Sequence, residues 1–215
     1  MNHPRAAALI VIDMQRDFCS PGGYAAHAGL DVARLSSVIG NIARLIDAAR
    51  AAGMPVIYTR EGHLPDLSDC TPAKLHRSRA AGAPIGQQGP LGRLLVRGEI
   101  GHDIIDELAP EPGDIVIDKP GYGAFHRTDL EAVLQRLGVK SLLLCGVTLE
   151  VCVHSSLREA VDRGYRCITI GDACAAGDPA LQEPALLMIS VEGGIFGAVA
   201  NTEDALRMMR AEQPA

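Results

Sequence analysis

Short aliphatic runs alternate along this chain with stretches in which apolar residues recur at helical spacing. The runs predict five β-strands: ALIVID (8–13), MPVIYT (54–59), DIVIDK (114–119), SLLLCG (141–146) and RCITIG (166–171). The longer stretches predict helices at about 31–52, 128–138, 150–163 and 179–191. This alternation is typical of βαβ units, so we expect an α/β fold in three layers, with a mostly parallel sheet and helices on both faces.

Residues 60–101 break the alternation, because they are rich in glycine, proline and basic residues. So long a connection inside a compact domain is usually functional, and we expect it near the active face or at a subunit contact. The length of 215 residues and the 47% share of hydrophobic residues predict one folded domain over residues 1–215.

Charge and cysteine content narrow the class of protein. The formal net charge is −6 and the basic residues are scattered, which argues against nucleic acid as a partner. The first apolar run ends at Asp13, too early for a membrane span or a signal peptide, so we expect a soluble cytoplasmic protein without membrane contact. The six cysteines form no CxxC pair, and most free cysteines of this kind are inert core residues.

Three of the predicted strands end beside a reactive side chain. Asp13 ends the first strand, Lys119 ends the third, and Cys152 follows the fourth at the start of a helix. The carboxyl ends of parallel strands share one edge of the sheet, where ligands collect. A thiol there can act as a nucleophile, with its pKa lowered by the helix start and by the lysine. Taken singly, each residue also has a structural interpretation: a strand-end cap, an ion pair with Asp118, and core packing.

Three segments together resemble a known family. They are IVIDMQRDFC (10–19), DKPGYGAFHRTDL (118–130) and LLLCGVTLEVCVHSSLREAVDRGYRCITIGDACAA (142–176). In this order, and over most of the chain, they resemble the isochorismatase-like cysteine hydrolases. The resemblance implies a Rossmann-like α/β domain with an Asp–Lys–Cys triad.

The resemblance also assigns roles to residues of this chain. It implies that Asp13, Lys119 and Cys152 form the triad and that the peptide bond between Val147 and Thr148 is cis. It further implies that the backbone N–H groups of Thr148 and Cys152 form an oxyanion hole. Members that cleave isochorismate lack the nucleophilic cysteine, so the presence of Cys152 favours acyl chemistry on C–N bonds.

The resemblance bears on metals and cofactors too. Nicotinamidases of the superfamily bind a metal through an Asp-x-His with further histidines, whereas this chain has Glu61-Gly62-His63 at the corresponding place. We therefore expect no metal and no cofactor. His63 is expected to be a hydrogen-bonding loop residue, since a single histidine without a second at fixed spacing is weak support for a ligand.

Five further segments are most similar to the biuret hydrolase and guanylurea hydrolase branch: DFCSPGGY, TREGHLPDL, GPLGRLLVRGE, HDIIDELAP and VEGGIFGAVAN. Tyr122 stands where that branch leads us to expect a lysine, and Glu192 stands where we expect a glutamine. A carboxylate in the pocket would favour a cationic amidine such as guanylurea. Alternatively, Glu192 pairs with an arginine of the protein and the substrate is biuret or another ureido amide. Phe18 and Phe125 either line the pocket or pack in the core.

These observations lead to one expected function and two alternatives. We expect a cysteine-dependent amidohydrolase that releases ammonia from a small carbamoyl or ureido compound of the biuret or guanylurea type. Ureidoacrylate or an N-carbamoyl compound is the alternative substrate. The alternative of another class is a catalytically silent scaffold that binds a metabolite or senses redox state. The resemblance also implies a homo-oligomer, either a dimer or a tetramer.

Overall fold

The protein is built on one central sheet. The computed structural model describes residues 6–211, so residues 1–5 and 212–215 of the predicted domain lie outside the described residues. The sheet has six parallel strands in the order β5-β2-β1-β6-β7-β8. The strands are β1 (Ala7–Ile12), β2 (Val56–Glu61), β5 (Ile115–Lys119), β6 (Ser141–Val147), β7 (Arg166–Ala175) and β8 (Ala198–Ala200). A separate short hairpin pairs β3 (Gln88–Gly89) with β4 (Gly92–Arg93).

Helices surround this sheet. They are α1 (Arg16–Cys19), α2 (Tyr24–His27), α3 (Val32–Ser36), α4 (Ile39–Ala51), α5 (Pro72–Ala80), α6 (Leu130–Arg136), α7 (His154–Asp162), α8 (Gln182–Ile189), α9 (Val191–Gly194) and α10 (Thr202–Ala211). Helices α4 and α10 contact each other and lie against β1 and β7, respectively. The connection from β1 to β2 runs in one direction along the sheet, and the connection from β6 to β7 runs in the other. Because such crossovers are right-handed, α7 lies on the face opposite to α4. The predicted α/β fold with a mostly parallel sheet is confirmed.

Strand β1 lies at the centre of the sheet. All six of its residues are buried, as is typical of a parallel strand covered on both faces. It pairs with β2 on one side and with β6 on the other, so the direction of the strand order reverses beside it. In open α/β sheets, ligands bind at the carboxyl ends of the strands at this point. The fold therefore directs attention to the segments after β1 and β6.

The helix predicted at 31–52 is two helices in the structure. Helix α3 ends at Ser36 and α4 begins at Ile39. Between them, the Ser37 hydroxyl donates to the carbonyl of Arg34 at 2.7 Å, and the Ser36 hydroxyl donates to the carbonyl of Cys19 at 2.8 Å. Serine side chains that bond the backbone in this way compete with helix continuation. The apolar spacing is nearly unbroken across the serines, so the pattern did not reveal the interruption.

The end of the chain contains two elements that the pattern did not predict. Strand β8 is only three residues long, and α10 follows it directly. Strand β7 also continues to Ala175, beyond the predicted end at 171. A three-residue edge strand is too short to show a period. Among the described residues, none of the helices has the length and apolar character needed to cross a membrane.

The long excursion at 60–101 covers the carboxyl end of the sheet. It contains α5, which begins after Thr71, whose side chain accepts from the backbone N–H of Lys74. Buried Asp17 of α1 links the excursion to α2. One of its carboxylate oxygens accepts from the N–H of Tyr24 in α2, and the other accepts from the N–H of Leu95 in the excursion. The expected position near the active face is thereby observed.

Candidate active site

Asp13 lies directly after β1, at the point where the strand order reverses. It is fully buried and has a positive φ of 52°. Its Oδ1 accepts a hydrogen bond from the Thr59 hydroxyl at 2.7 Å, and its Oδ2 lies 2.7 Å from the Lys119 ammonium. Two neighbouring strands therefore hold both carboxylate oxygens in place.

Lys119 is the last residue of β5 and is also fully buried. Its ammonium donates to the carbonyls of Gly121 and Tyr122 at 3.0 Å each, in addition to its contact with Asp13. Burial alone would lower the pKa of Lys119, but Asp13, Cys152 and Glu61 outweigh this and raise it above the ordinary lysine value. Lys119 is thus a permanent cation with all three of its N–H groups directed at acceptors.

Cys152 follows β6 after a short connection. The peptide bond between Val147 and Thr148 is cis, as the resemblance implied. One π-helical turn at Leu149–Val153 comes next, and α7 begins only at His154. The Cys152 side chain is buried. Its sulfur, one carboxylate oxygen of Asp13 and one of Glu61 all lie within 4.8 Å of one another. The structure therefore brings the three residues of the predicted triad together.

Two charged residues of this site were missed at the level of sequence. Glu61 ends β2, and its Oε2 lies 3.3 Å from the Cys152 sulfur and 3.6 Å from the Lys119 ammonium. Its Oε1 lies 2.6 Å from the ammonium of Lys74, which also donates to the carbonyl of Pro120 at 2.7 Å. Glu61 ends a parallel strand just as Lys119 does, and that signal could have revealed it.

The pKa values of the site depart from the simple sequence expectation. We expected a lowered pKa for the Cys152 thiol, but burial raises it well above the ordinary value, against the opposing effect of Lys119. Burial also raises the pKa of Asp13. For Glu61, burial acts in the same direction, but Lys74 and Lys119 outweigh it and lower the pKa. The resting nucleophile is therefore a thiol between two carboxylates.

The place between the carboxylates of Asp13 and Glu61 where a cation could bind is taken by the ammonium group of Lys119. Lys119 lies 2.7 Å from Asp13 and 3.6 Å from Glu61, so a metal ion at these two carboxylates would have to displace it. His63 has its Nδ1 3.2 Å from a carboxylate oxygen of Asp69. This contact agrees with a hydrogen-bonding role for His63 at Nδ1, whereas its buried Nε2 has no hydrogen-bond partner among the described residues.

A cavity of about 310 Å³ opens onto the Cys152 sulfur. Phe18, Tyr122 and Thr148, all named as site residues from the sequence, line it together with Cys152. The Tyr122 ring lies 4.8 Å from the Lys74 ammonium. These residues form the walls of a small binding site directly above the nucleophile.

Phe125 does not lie in the lining of this cavity. Its backbone N–H donates to the carboxylate of Glu159 at 2.9 Å, and its ring packs against Tyr165 at 5.9 Å and under the guanidinium of Arg163 at 4.8 Å. Of the two alternatives for Phe125, lining the pocket or packing in the core, the structure agrees with packing.

Glu192 also lies outside the lining of the cavity. It is exposed on α9, with a positive φ of 51°, followed by Gly193 at 76°. This turn directs the segment away from the helical path of α8. The carboxylates that do line the cavity are those of Glu61 and of half-buried Glu150. The Oε1 of Glu150 accepts from the N–H of Gly177 at 2.8 Å, and its Oε2 is buried without a hydrogen-bond partner among the described residues.

Comparison with known proteins identifies the family. The sequence model described as "Isochorismatase domain" matches residues 7–204. The chain belongs to the isochorismatase family. This family match confirms the resemblance seen in the three sequence segments, and it makes the protein an isochorismatase-family hydrolase.

Relatives of this isochorismatase-family chain include two named "Ureidoacrylate amidohydrolase RutB". The one from Methylorubrum extorquens is 40% identical over 205 residues, which cover 94% of this chain and 83% of the relative. The one from Methylobacterium radiotolerans is 38% identical over 207 residues, which cover 94% and 80%.

Solved structures agree with this family membership. A cysteine hydrolase from Pseudomonas syringae pv. phaseolicola has a TM-score of 0.83 and 31% identity, covering 99% of this chain and 95% of that one. The N-carbamoylsarcosine amidase from Thermoplasma acidophilum has a TM-score of 0.71 and 26% identity, covering 92% and 96%.

Proposed function

We propose that this isochorismatase-family hydrolase is a cysteine amidohydrolase that releases ammonia from a small ureido or carbamoyl compound. The observation that carries the proposal is the position of the Cys152 sulfur. It faces a small cavity and has Asp13 and Lys119 beside it. The sulfur, one carboxylate oxygen of Asp13 and one of Glu61 lie within 4.8 Å of one another. This is the arrangement that a covalent mechanism needs: a nucleophile, a base within reach and a fixed cation.

The proposed reaction begins with proton transfer from the Cys152 thiol to Asp13. The sulfur then forms a bond to the carbamoyl carbon, and the backbone N–H groups of Thr148 and Cys152 stabilise the oxyanion. The C–N bond breaks as Asp13 returns the proton to nitrogen, and ammonia leaves. Water that has passed a proton to Asp13 attacks the remaining thioester-like carbon, the sulfur–carbon bond breaks, and Asp13 returns the proton to the Cys152 sulfur. Lys119 keeps its charge throughout and stabilises whichever of Asp13 and Cys152 is the anion.

An anionic ureido acid is the substrate that most observations support. The relatives at about 40% identity are named for ureidoacrylate. At the cavity, the exposed Arg77 side chain makes one long hydrogen bond to the Tyr122 hydroxyl at 3.4 Å, and no carboxylate of the described residues lies within 4.0 Å of it. A guanidinium in this position can hold the carboxylate of a ureido acid.

Guanylurea or biuret is the second candidate substrate. The argument for an acidic group in the pocket moves from Glu192 to Glu150, whose buried Oε2 could accept from a cationic amidine. Because Oε1 of Glu150 already accepts from Gly177, only Oε2 lacks a partner among the described residues, and such a ligand would supply one.

A substrate panel tests the function and separates the candidates. Ammonia release is measured with ureidoacrylate, biuret and guanylurea, using the wild type and Cys152→Ala. We expect one ureido compound to be turned over by the wild type and none by the variant, with both proteins melting at about the same temperature. If the wild type binds one of these compounds but releases no ammonia from any of them, and its cysteine shows no rapid, ligand-protected alkylation, a silent binding scaffold is the better explanation. Cys152→Ala with full activity contradicts the proposal directly.

Arg77 provides a sharper test of the substrate. For a ureido acid, Arg77→Gln should raise KM about tenfold, the effect of losing one charge-assisted contact, while biuret turnover should not change. Equal effects on both substrates would exclude a carboxylate contact at Arg77. If guanylurea is the substrate, Glu150→Gln should weaken guanylurea turnover more than biuret turnover.

We also propose that the chain forms a homo-oligomer and lies in the cytoplasm as one domain over residues 1–215. An exposed apolar surface on α8 and α9 supports self-association, with Leu187 being 68% exposed and Ile195 49% exposed. Glu192 lies in the same segment, so in an oligomer it would contact a neighbouring chain. Light scattering on the wild type and on Leu187→Glu tests this: the variant should have a lower mass, and a monomeric wild type would refute it.

A further inference from the structure

Glu61 contacts the reacting atom, although the mechanism above gives it no role. Its Oε2 lies 3.3 Å from the Cys152 sulfur, and its side chain is as buried as that of the cysteine. Asp13 already serves as the base and Lys119 as the cation. A second carboxylate beside the nucleophile therefore needs its own explanation.

The position of Glu61 is held by three separate contacts. Gln15 bonds its backbone on both sides: the Glu61 N–H donates to Oε1 of Gln15 at 2.7 Å, and the Gln15 amide donates to the Glu61 carbonyl at 2.9 Å. Lys74 lies 2.6 Å from Oε1. These contacts leave Oε2 directed at the sulfur, so the approach of the two atoms is built into the fold.

Lys74 makes Glu61 a stable anion. The ammonium of Lys74 is itself fixed by the carbonyl of Pro120 and by the ring of Tyr122. The Lys74 and Lys119 charges lower the pKa of Glu61 and burial raises that of Asp13, so the two carboxylates differ in basicity. Where neighbouring acids are shifted in opposite directions, the weaker base remains ionised and the stronger one exchanges the proton.

We propose that Glu61 is a catalytic residue that stays an ionised hydrogen-bond acceptor: it accepts the thiol S–H at rest and an N–H of the leaving amino group in the substrate complex. The second half of this inference rests on the proposed amidohydrolase function. When the substrate N–H takes the place at Oε2, the thiol hydrogen is released towards Asp13. Substrate binding and activation of the nucleophile are thereby coupled.

Charge and proton balance agree with this role. At rest the two carboxylates, Asp13 and Glu61, face the two ammonium groups, Lys74 and Lys119, and the thiol is neutral. Transfer of the thiol proton to Asp13 keeps the total charge the same. The sulfur–carbon bond then forms, the carbon–nitrogen bond breaks, and the proton on Asp13 leaves with ammonia. Glu61 gains and loses no proton.

This role also favours one chemical class of substrate. A carboxylate at the leaving group accepts from an amino group but repels the ether-type oxygen of an ester. The site should therefore select primary amide and ureido groups over the corresponding esters. The titratable side chains that surround the sulfur or Glu61 include Asp13, Asp17, Tyr24, His63, Cys70, Lys74 and Lys119.

The test measures thiol reactivity without any substrate. Methyl methanethiosulfonate is small, neutral and free of N–H groups, and mass spectrometry follows its reaction at Cys152 from pH 6 to 10. In Glu61→Gln, the amide oxygen should face Lys74 and the amide NH₂ should face the sulfur. We expect this variant to react about tenfold faster at pH 7, equivalent to a thiol pKa about one unit lower. Equal or slower reaction across the pH range would overturn the proposal.

Matched variants separate this role from general electrostatics and from misfolding. Glu99→Gln also removes one carboxylate, but Glu99 pairs with Arg93 and does not line the cavity, so the rate of this variant should stay within about twofold of the wild type. Glu61→Gln combined with Lys74→Met removes the ion pair as a neutral unit, and it should react faster too, without the folding cost of a single buried charge. A wild-type rate in the double variant would contradict the inference.

Turnover gives the second readout. In Glu61→Gln, kcat/KM for the ureido substrate should fall about tenfold or more although the thiol is more reactive, because the acceptor for the leaving amino group is lost. A purely structural role would lower both rates together. If the wild type turns over no ureido compound, the proposed function fails, while the thiol measurement still decides the resting role of Glu61.

Discussion

Two carboxylates flank the Cys152 sulfur, and their surroundings shift their pKa values in opposite directions. At Asp13, burial dominates and raises the pKa, although the Lys119 ammonium and the Thr59 hydroxyl beside it act in the opposite direction. Glu61 faces Lys74 and Lys119, which reverse the effect of burial. Residues of the same chemical type thus acquire different roles from their neighbours, as a proton carrier and as a fixed anion.

The raised pKa of Asp13 predicts the pH dependence of the reaction. Asp13 must be ionised to accept the thiol proton, so kcat/KM should rise with pH as Asp13 loses its own proton. Because burial places this step above the ordinary value of 3.8, the acidic limb should lie at a higher pH than for an exposed aspartate. Rates measured from pH 4 to 9 check this.

Asp13→Asn is the matched control for that pH profile. It removes the base but keeps an oxygen for the Thr59 hydroxyl, so the rate should fall at least about 100-fold and the acidic limb should disappear. A variant that keeps the limb would show that another group titrates. An acidic limb at ordinary aspartate values would contradict the role of burial.

At the scale of elements, the approach of β1 and β6 decides where Asp13 and Cys152 meet. Gly146 pairs with Ile12 at the last step of this contact, and its φ is 120°. A β-carbon on Gly146 would overlap with the carbonyl oxygen of Ile12. Only glycine allows the two strands to lie this close just before both catalytic segments.

Gly146→Ala should therefore damage both stability and activity. We expect a loss of at least about 2 kcal/mol in the free energy of unfolding, from backbone strain and the separation of the strands. The control is Gly40→Ala in α4, where a β-carbon meets open space, and a gain of at most about 1 kcal/mol is expected from helix propensity. Urea unfolding measures the stability of both variants, and equal stability of the two would refute the argument.

The same elements show how far the sequence could predict the site. Asp13, Lys119 and Cys152 were found because each lies at or after the end of a strongly apolar strand. Glu61 was missed because the predicted strand stopped at 59, whereas β2 continues to 61.

Lys74 and Glu192 could not be placed from sequence for different reasons. The buried residues of α5 are Lys74 and Ser78, so this helix has no apolar stripe for a pattern to detect. The position of Glu192 depends on three consecutive residues with positive φ after α8, Glu192 to Gly194, a backbone feature that the apolar pattern does not contain.

At the scale of the whole molecule, the excursion over the carboxyl end of the sheet buries histidines as well as the site. His63 lies in the excursion and His102 directly follows it, and both are almost fully buried. Burial lowers the pKa of each, and for His102 the value falls to about 4, with Arg60 adding to the effect and Asp118 opposing it. The folded protein therefore keeps these rings neutral where the unfolded chain would protonate them.

This difference predicts a loss of stability in acid. His102 has an ordinary value of 6.5 when unfolded and about 4 when folded, so its contribution is fully present above pH 6.5 and is lost as the pH falls towards 4. The whole contribution is at most about 3 kcal/mol, of which about 2 kcal/mol should be lost between pH 7.5 and 5. Urea midpoints at these two pH values measure it. His102→Gln should lose less stability over this interval than the wild type, whereas His76→Gln, on an exposed side chain, should lose as much. If His102→Gln and the wild type lose the same amount, another buried group is responsible for the acid sensitivity.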